Sequence, residues 1–100
     1  MQIIWTEFAK KNIAENLDYL ERAWGKNSAI DFLDRIDAYL LAIRKIPETY
    51  LTIGFGDQIY KFIANSHVSL YDQIGEDAIF LLTFWNNSWN PEKLQEYLKP

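Results

Sequence analysis

Two different apolar periods divide this chain. From Ile59 to Trp85 it reads IYKFIANSHVSLYDQIGEDAIFLLTFW. Three runs rich in Ile, Val, Phe, Tyr and Leu are broken there by Ala64-Asn65-Ser66 and by Gly75-Glu76-Asp77. Short β-prone runs separated by small polar turn residues predict an antiparallel meander. The strands fall at Ile59–Ile63, His67–Ile74 and Ala78–Trp85. In the last, regular alternation puts Ile79 and Leu81 on one face and Phe80, Leu82 and Phe84 on the other. A strand apolar on both faces needs cover on both.

The first half carries the helical period. Ala9, Ile13, Leu17, Leu20 and Trp24 recur every three or four residues, one face of an α-helix spanning Thr6–Trp24. Thr6 suits the N-cap and Gly25 the stop. A second helix, Ser28–Ile46, carries the stripe Ala29, Leu33, Ile36, Leu40 and Ile43 and ends at Pro47. The short Gly25–Asn27 connection folds the pair into an antiparallel hairpin. Ile3, Ile4 and Trp5 suit a short strand before it. Asn90 and Pro91 open a short helix running through Leu98. Glu48–Asp57 is irregular. Its Gly54-Phe55-Gly56 lacks a following helix and is a weak phosphate signal, so it reads as a connection into the sheet.

The resulting order, β-α-α-β-β-β-α, is an α+β domain: a helical hairpin packed on a small antiparallel sheet. Its expected core is Ile13, Leu17, Leu20, Leu33, Ile36, Leu40, Val68, Leu70, Ile79 and Leu81. One hundred residues, 49% of them hydrophobic, make a single domain, residues 1–100.

Charge and composition narrow the function. The net charge is −4, and the last fifty residues hold 6 acids against 3 bases. Between Lys45 and Lys93 the only groups able to carry positive charge are Lys61 and His67. A phosphate-binding stripe is missing, so direct DNA binding is not expected. There is no cysteine. One His and scattered acids suggest neither a metal site nor a cofactor. No apolar run approaches the ~20 residues of a membrane helix, and the N-terminus lacks signal-peptide character. The expected location is the cytoplasm.

The element order and its residues resemble the RelE/ParE family of bacterial type II toxins. IIWTEFAKKNIAENLDYLERAWG looks like the family's first strand and helix. The sheet segment, followed by NPEKL, looks like its basic strand, its His-x-x-x-Tyr strand and a strand running into an Asx-x-Arg-x-x-Pro tail. The resemblance covers nearly the whole chain. It implies a toxin acting on DNA gyrase or on the ribosome, and a cognate antitoxin whose extended segment wraps it. The departures bear on which. Tyr60 stands where the family commonly has Arg, Ser88 where it has Arg, and Trp89 where it has Gln, and the family commonly has Tyr or Arg near Asp72. The cations that family nucleases direct at RNA are mostly absent.

Three side chains remain as candidate ribonuclease residues: Lys61 to hold phosphate, His67 to move protons, and Tyr71 on the same strand as His67. The short turn between their strands could bring Lys61 and His67 together. Each also has a plain reading: an edge-protecting lysine, a strand-end histidine and a half-buried tyrosine. With so few cations, enzymatic activity is not expected. The favoured reading is a toxin that binds a protein target of the gyrase kind. Alternatives are a ribosome-dependent mRNA endoribonuclease and a non-toxic binding module of the same fold. The expected partner-binding residues are Phe80, Phe84, Trp85 and Trp89, in a mainly apolar interface only modestly sensitive to salt.

Overall fold

The structure is a computed structural model that describes residues 2–45, 53–54 and 58–98. The chain begins with β1 (Gln2–Trp5) and α1 (Glu7–Trp24), followed by α2 (Lys26–Lys45). Four strands then follow: β2 (Ile53–Gly54), β3 (Ile59–Ile63), β4 (Val68–Ile74) and β5 (Ala78–Asn86). The last element is α3 (Pro91–Tyr97). The sheet order is β1-β5-β4-β3-β2. The meander β2 to β5 is antiparallel, as its turns require, whereas β1 joins β5 in parallel. The stretch expected to be irregular supplies β2. The rest of Glu48–Asp57, Phe55 between its glycines included, lies outside the described residues.

Local chemistry sets the helix ends. Thr6 caps α1, its hydroxyl accepting from the Ala9 N–H at 3.2 Å. The same hydroxyl donates to the Leu81 carbonyl at 2.7 Å, tying the cap to β5. Gly25 turns the chain with φ of 95°, a conformation that favours glycine. Because that turn takes one residue, α2 starts at Lys26 rather than after Asn27. Asn90 caps α3 through the Glu92 N–H at 3.0 Å, with Pro91 in the first helical position.

The helical hairpin covers one face of the sheet. Leu20, Phe32, Ile36, Ile43, Val68, Leu70, Ile79, Leu81 and Phe84 form that core. On the opposite face α3 brings Leu94 and Leu98 against Ile59, Tyr71, Leu82 and Trp85. β5 is therefore covered on both sides, as its two-sided apolar pattern demands.

Three expectations change here. First, α2 is rotated by about one residue from its expected stripe. It buries Ala29, Phe32, Ile36, Tyr39 and Ile43, leaving Leu33 37% exposed and Leu40 half-buried. Second, Trp24 ends α1 beyond the sheet and is 56% exposed, stacked on His67. Third, β5 is not regular. Tyr71 pairs with Thr83 and Asp72 with Leu81, so Leu82 is an extra residue. Such a bulge reverses the alternation beyond it. Phe84 accordingly joins Ile79 and Leu81 under the hairpin instead of Phe80 and Leu82 beneath α3.

The short reach of β1 explains two buried polar residues on α1. β1 pairs with β5 only from Ala78 to Leu81, after which α1 takes its place beside the strand. Asn12 Oδ1 accepts from the Phe84 N–H at 2.9 Å, and its amide donates to Thr83 Oγ1 at 2.9 Å. Asn16 Nδ2 donates to the Phe84 carbonyl at 2.8 Å. The two side chains thus satisfy backbone groups that a longer β1 would have paired. Replacing Asn12 by Ala leaves a buried N–H unpaired. Urea unfolding should show a loss of about 1–3 kcal/mol. A loss no larger than that of an exposed change such as Glu21→Gln would mean that Phe84 finds another acceptor.

Candidate functional site

The three candidate ribonuclease residues do not assemble. Lys61 pairs with Tyr71 across β3 and β4, its Nζ 5.9 Å from the ring centroid in a cation–π contact. The turn instead sets Ile63 against Ser69. His67 precedes Tyr71 by four residues, or roughly 13 Å of extended chain, so its backbone is far along the strand from the Lys61–Tyr71 pair. Its imidazole stacks on Trp24 with centroids 4.4 Å apart and planes 19° apart. Its backbone N–H and that of Val68 both donate to Asn65 Oδ1 at 2.8 Å, which closes the turn. Burial pushes the Tyr71 hydroxyl above its ordinary pKa, so it stays protonated at neutral pH and gives up its proton less readily.

Asp72 is turned to the other side of the sheet. It is fully buried in the hairpin core, where the Tyr39 hydroxyl donates to its Oδ2 at 2.5 Å. Tyr39 itself stacks on Phe62, centroids 4.0 Å apart. Oδ1 of Asp72 has no hydrogen-bond partner among the described residues. Desolvation raises its pKa to about 6, with the Tyr39 hydrogen bond working against that rise. Desolvation, reinforced by the carboxylate, raises the Tyr39 pKa strongly, so its hydroxyl stays protonated and donating. Among the described residues no three His, Cys, Asp or Glu side chains gather where a metal ion could sit. None of the described helices is long and apolar enough to cross a membrane.

The expected partner-binding aromatics separate into two groups. Phe84 is fully buried between Trp5, stacked at 5.4 Å, and Phe32, edge-on at 6.3 Å. Trp85 is 6% exposed and forms the base of the α3-side core. Phe80 and Trp89 are half-buried at its margin, Trp89 meeting Trp85 edge-on at 5.1 Å. Phe80 and Trp89 alone of the four retain substantial surface.

Two grooves flank α2. β1 is an edge strand, and its outer side pairs with nothing among the described residues. Next to it lies a groove of about 530 Å³ between β1 and α2, lined by Ile3, Trp5, Leu40 and Leu41 with Asp37 and Arg44 at its rim. Leu41 is 62% exposed. A second, apolar groove of about 430 Å³ runs between α2 and β3, past Tyr39, Phe62 and Ile63. Two sequence signals pointed to the first. Gln2-Ile3-Ile4-Trp5 has no charge or proline to protect an edge. Leu40-Leu41 puts adjacent leucines on a helix, where one face cannot bury both fully.

No family model matches the sequence, and neither does any curated protein. Solved structures do match the fold. One is a chain of the chromosomal ParDE TA system from P. aeruginosa, with a TM-score of 0.68 and 12% identity, covering 86% of this chain and 95% of that one. Another is a YoeB/ParE toxin from Agrobacterium tumefaciens, with a TM-score of 0.61 and 8% identity, covering 87% of this chain and 99% of that one. The chain has the RelE/ParE-like toxin fold.

Proposed function

We propose that this chain is the toxin of a bacterial type II toxin–antitoxin pair, that it acts in the cytoplasm by binding a protein target of the DNA gyrase kind, and that a cognate antitoxin neutralises it. The fold of ParDE and YoeB/ParE structures supports the toxin role. One observation favours a binding toxin over a ribonuclease: Lys61 and Tyr71 pair with each other while His67 is stacked on Trp24 farther along the strand. Phosphoryl-transfer chemistry at RNA needs a base, an acid and positive charge converging on one phosphate. That convergence is missing from the described residues.

The β1 edge and the groove beside it suit the antitoxin. A partner segment in extended conformation gains main-chain hydrogen bonds along β1, and it seats apolar side chains against Ile3, Trp5, Leu40 and Leu41. Phe80 and Trp89 remain partner-facing candidates on the α3 side. Phe84 does not.

Induced expression in a bacterial host tests the reading. It should arrest growth, and co-expression of the small protein encoded beside it should relieve the arrest. Purified protein should inhibit DNA supercoiling by gyrase and leave ribosome-bound message intact. Ribosome-dependent cleavage abolished by Lys61→Ala or His67→Ala would replace this reading with the ribonuclease. Absence of growth arrest, with retained partner binding, would replace it with the non-toxic binding module.

A further inference from the structure

We propose that the cleft between α1 and α3 is a binding site for a small planar aromatic anion, a flat ring that carries a phosphate or a carboxylate. The cleft has a volume of about 350 Å³, within the range of sites that hold small molecules. It lies on the α3 side of the sheet, away from the β1–α2 groove, and owes nothing to the toxin reading.

Its walls are aromatic and mutually braced. Trp85 is buried, with Trp89 at 5.1 Å and Tyr97 at 5.3 Å between ring centroids. Phe8, from the first turn of α1, meets Tyr97 edge-on at 4.7 Å. Phe8 is 51% exposed and belongs to neither core cluster. Rings held by other rings lose little freedom when a further ring packs on them, so a planar guest is favoured over a flexible chain.

The rim supplies the charge preference. Lys11 on α1 and Lys93 on α3 both line the cleft, from opposite sides. Neither side chain makes an ion pair among the described residues. Glu15 lines it as well, which leaves the site with one net positive charge in a chain whose total is −4. Exposed lysines alone hold an anion weakly in water. Aromatic walls alone accept any apolar ring. Together they select a ring bearing negative charge, and Glu15 can accept from a donor on that ring.

Titration separates the contributions. The probes are adenosine monophosphate, adenosine and inorganic phosphate, with indole-3-acetate and indole as the carboxylate pair. Binding is read by quenching of tryptophan fluorescence and by NMR shifts of the Trp85 and Trp89 indole N–H groups. At least one charged ring should bind tenfold or more tightly than its neutral counterpart, and inorganic phosphate should bind more weakly than adenosine monophosphate. Whichever pair shows the preference tells a phosphate ligand from a carboxylate one. Lys11→Ala with Lys93→Ala should abolish the preference and leave neutral-ring binding unchanged. Both lysines are exposed, so the fold is retained. Equal affinity for charged and neutral rings, an unchanged preference in the double variant, or no shift at Trp85 and Trp89 overturns the proposal.

Discussion

Replacing Asp72 by Asn should flatten the pH dependence of folding stability. The variant's stability relative to the original protein should rise by about 3 kcal/mol between pH 3 and pH 7. Asp72 is fully buried, and one of its oxygens has no hydrogen-bond partner among the described residues. Its folded pKa is raised from 3.8 to about 6, chiefly by desolvation. A raised folded pKa means that the native state holds the proton more tightly than the unfolded chain. The stability associated with the protonated form is full below pH ~4 and is lost as pH rises through ~6. Roughly two units at about 1.4 kcal/mol each give the ~3 kcal/mol. Any fixed cost of burying the amide shifts both ends equally and cancels in the comparison. Urea unfolding across that pH range measures it. A constant difference between the two proteins would mean that the carboxyl reaches water. Tyr39→Phe should move the midpoint upward, because it removes the bond that favours the charged form.

The same residue shows what a sequence can disclose. β3 falls at the bounds its Ile-Tyr-Lys-Phe-Ile pattern indicates, and the caps Thr6, Gly25 and Asn90 stand where their chemistry places them. Local propensity suffices for those. Rotation of α2 was not readable. Ala29, Leu33, Ile36, Leu40, Ile43 and Ala29, Phe32, Ile36, Tyr39, Ile43 are both helical stripes with apolar members. Contacts distant in sequence select the second, namely Phe32 on Phe84, and Tyr39 on Phe62 and Asp72. Asp72 gave no sign of burial, since a strand Asp ordinarily faces water. Asn12 and Asn16 likewise look like solvent-facing positions until β5 is known to lack a neighbour beyond Leu81. Of the candidate site, the sequence disclosed the scarcity of cations. It did not disclose that Lys61 pairs with Tyr71 in register and His67 packs on Trp24, because strand register depends on where the turn closes.

Phe84→Ala should cost about 3–5 kcal/mol of stability, well above the loss from Trp89→Ala. Leu82 decides where Phe84 points. Were β5 regular from Ala78 to Asn86, Phe84 would share the α3 face with Phe80, which is half-buried. The extra residue opposite the Tyr71–Asp72 step turns Phe84 into the hairpin core. There it is fully buried between Trp5 and Phe32, and its backbone is held by Asn12 and Asn16. Removing the ring leaves a cavity between Trp5 of β1 and Phe32 of α2, and the backbone of residue 84, pinned by Asn12 and Asn16, is not free to move in and fill it. Trp89→Ala is the comparison. Trp89 has one edge-on contact with Trp85 and keeps part of its surface, so the edge-to-face term of ~0.5–1.5 kcal/mol and partial burial set a smaller loss. Urea unfolding of both variants, followed by far-UV circular dichroism, orders them. A Phe84→Ala loss below that of Trp89→Ala would return Phe84 to the α3 face and restore it as a residue that a partner could reach.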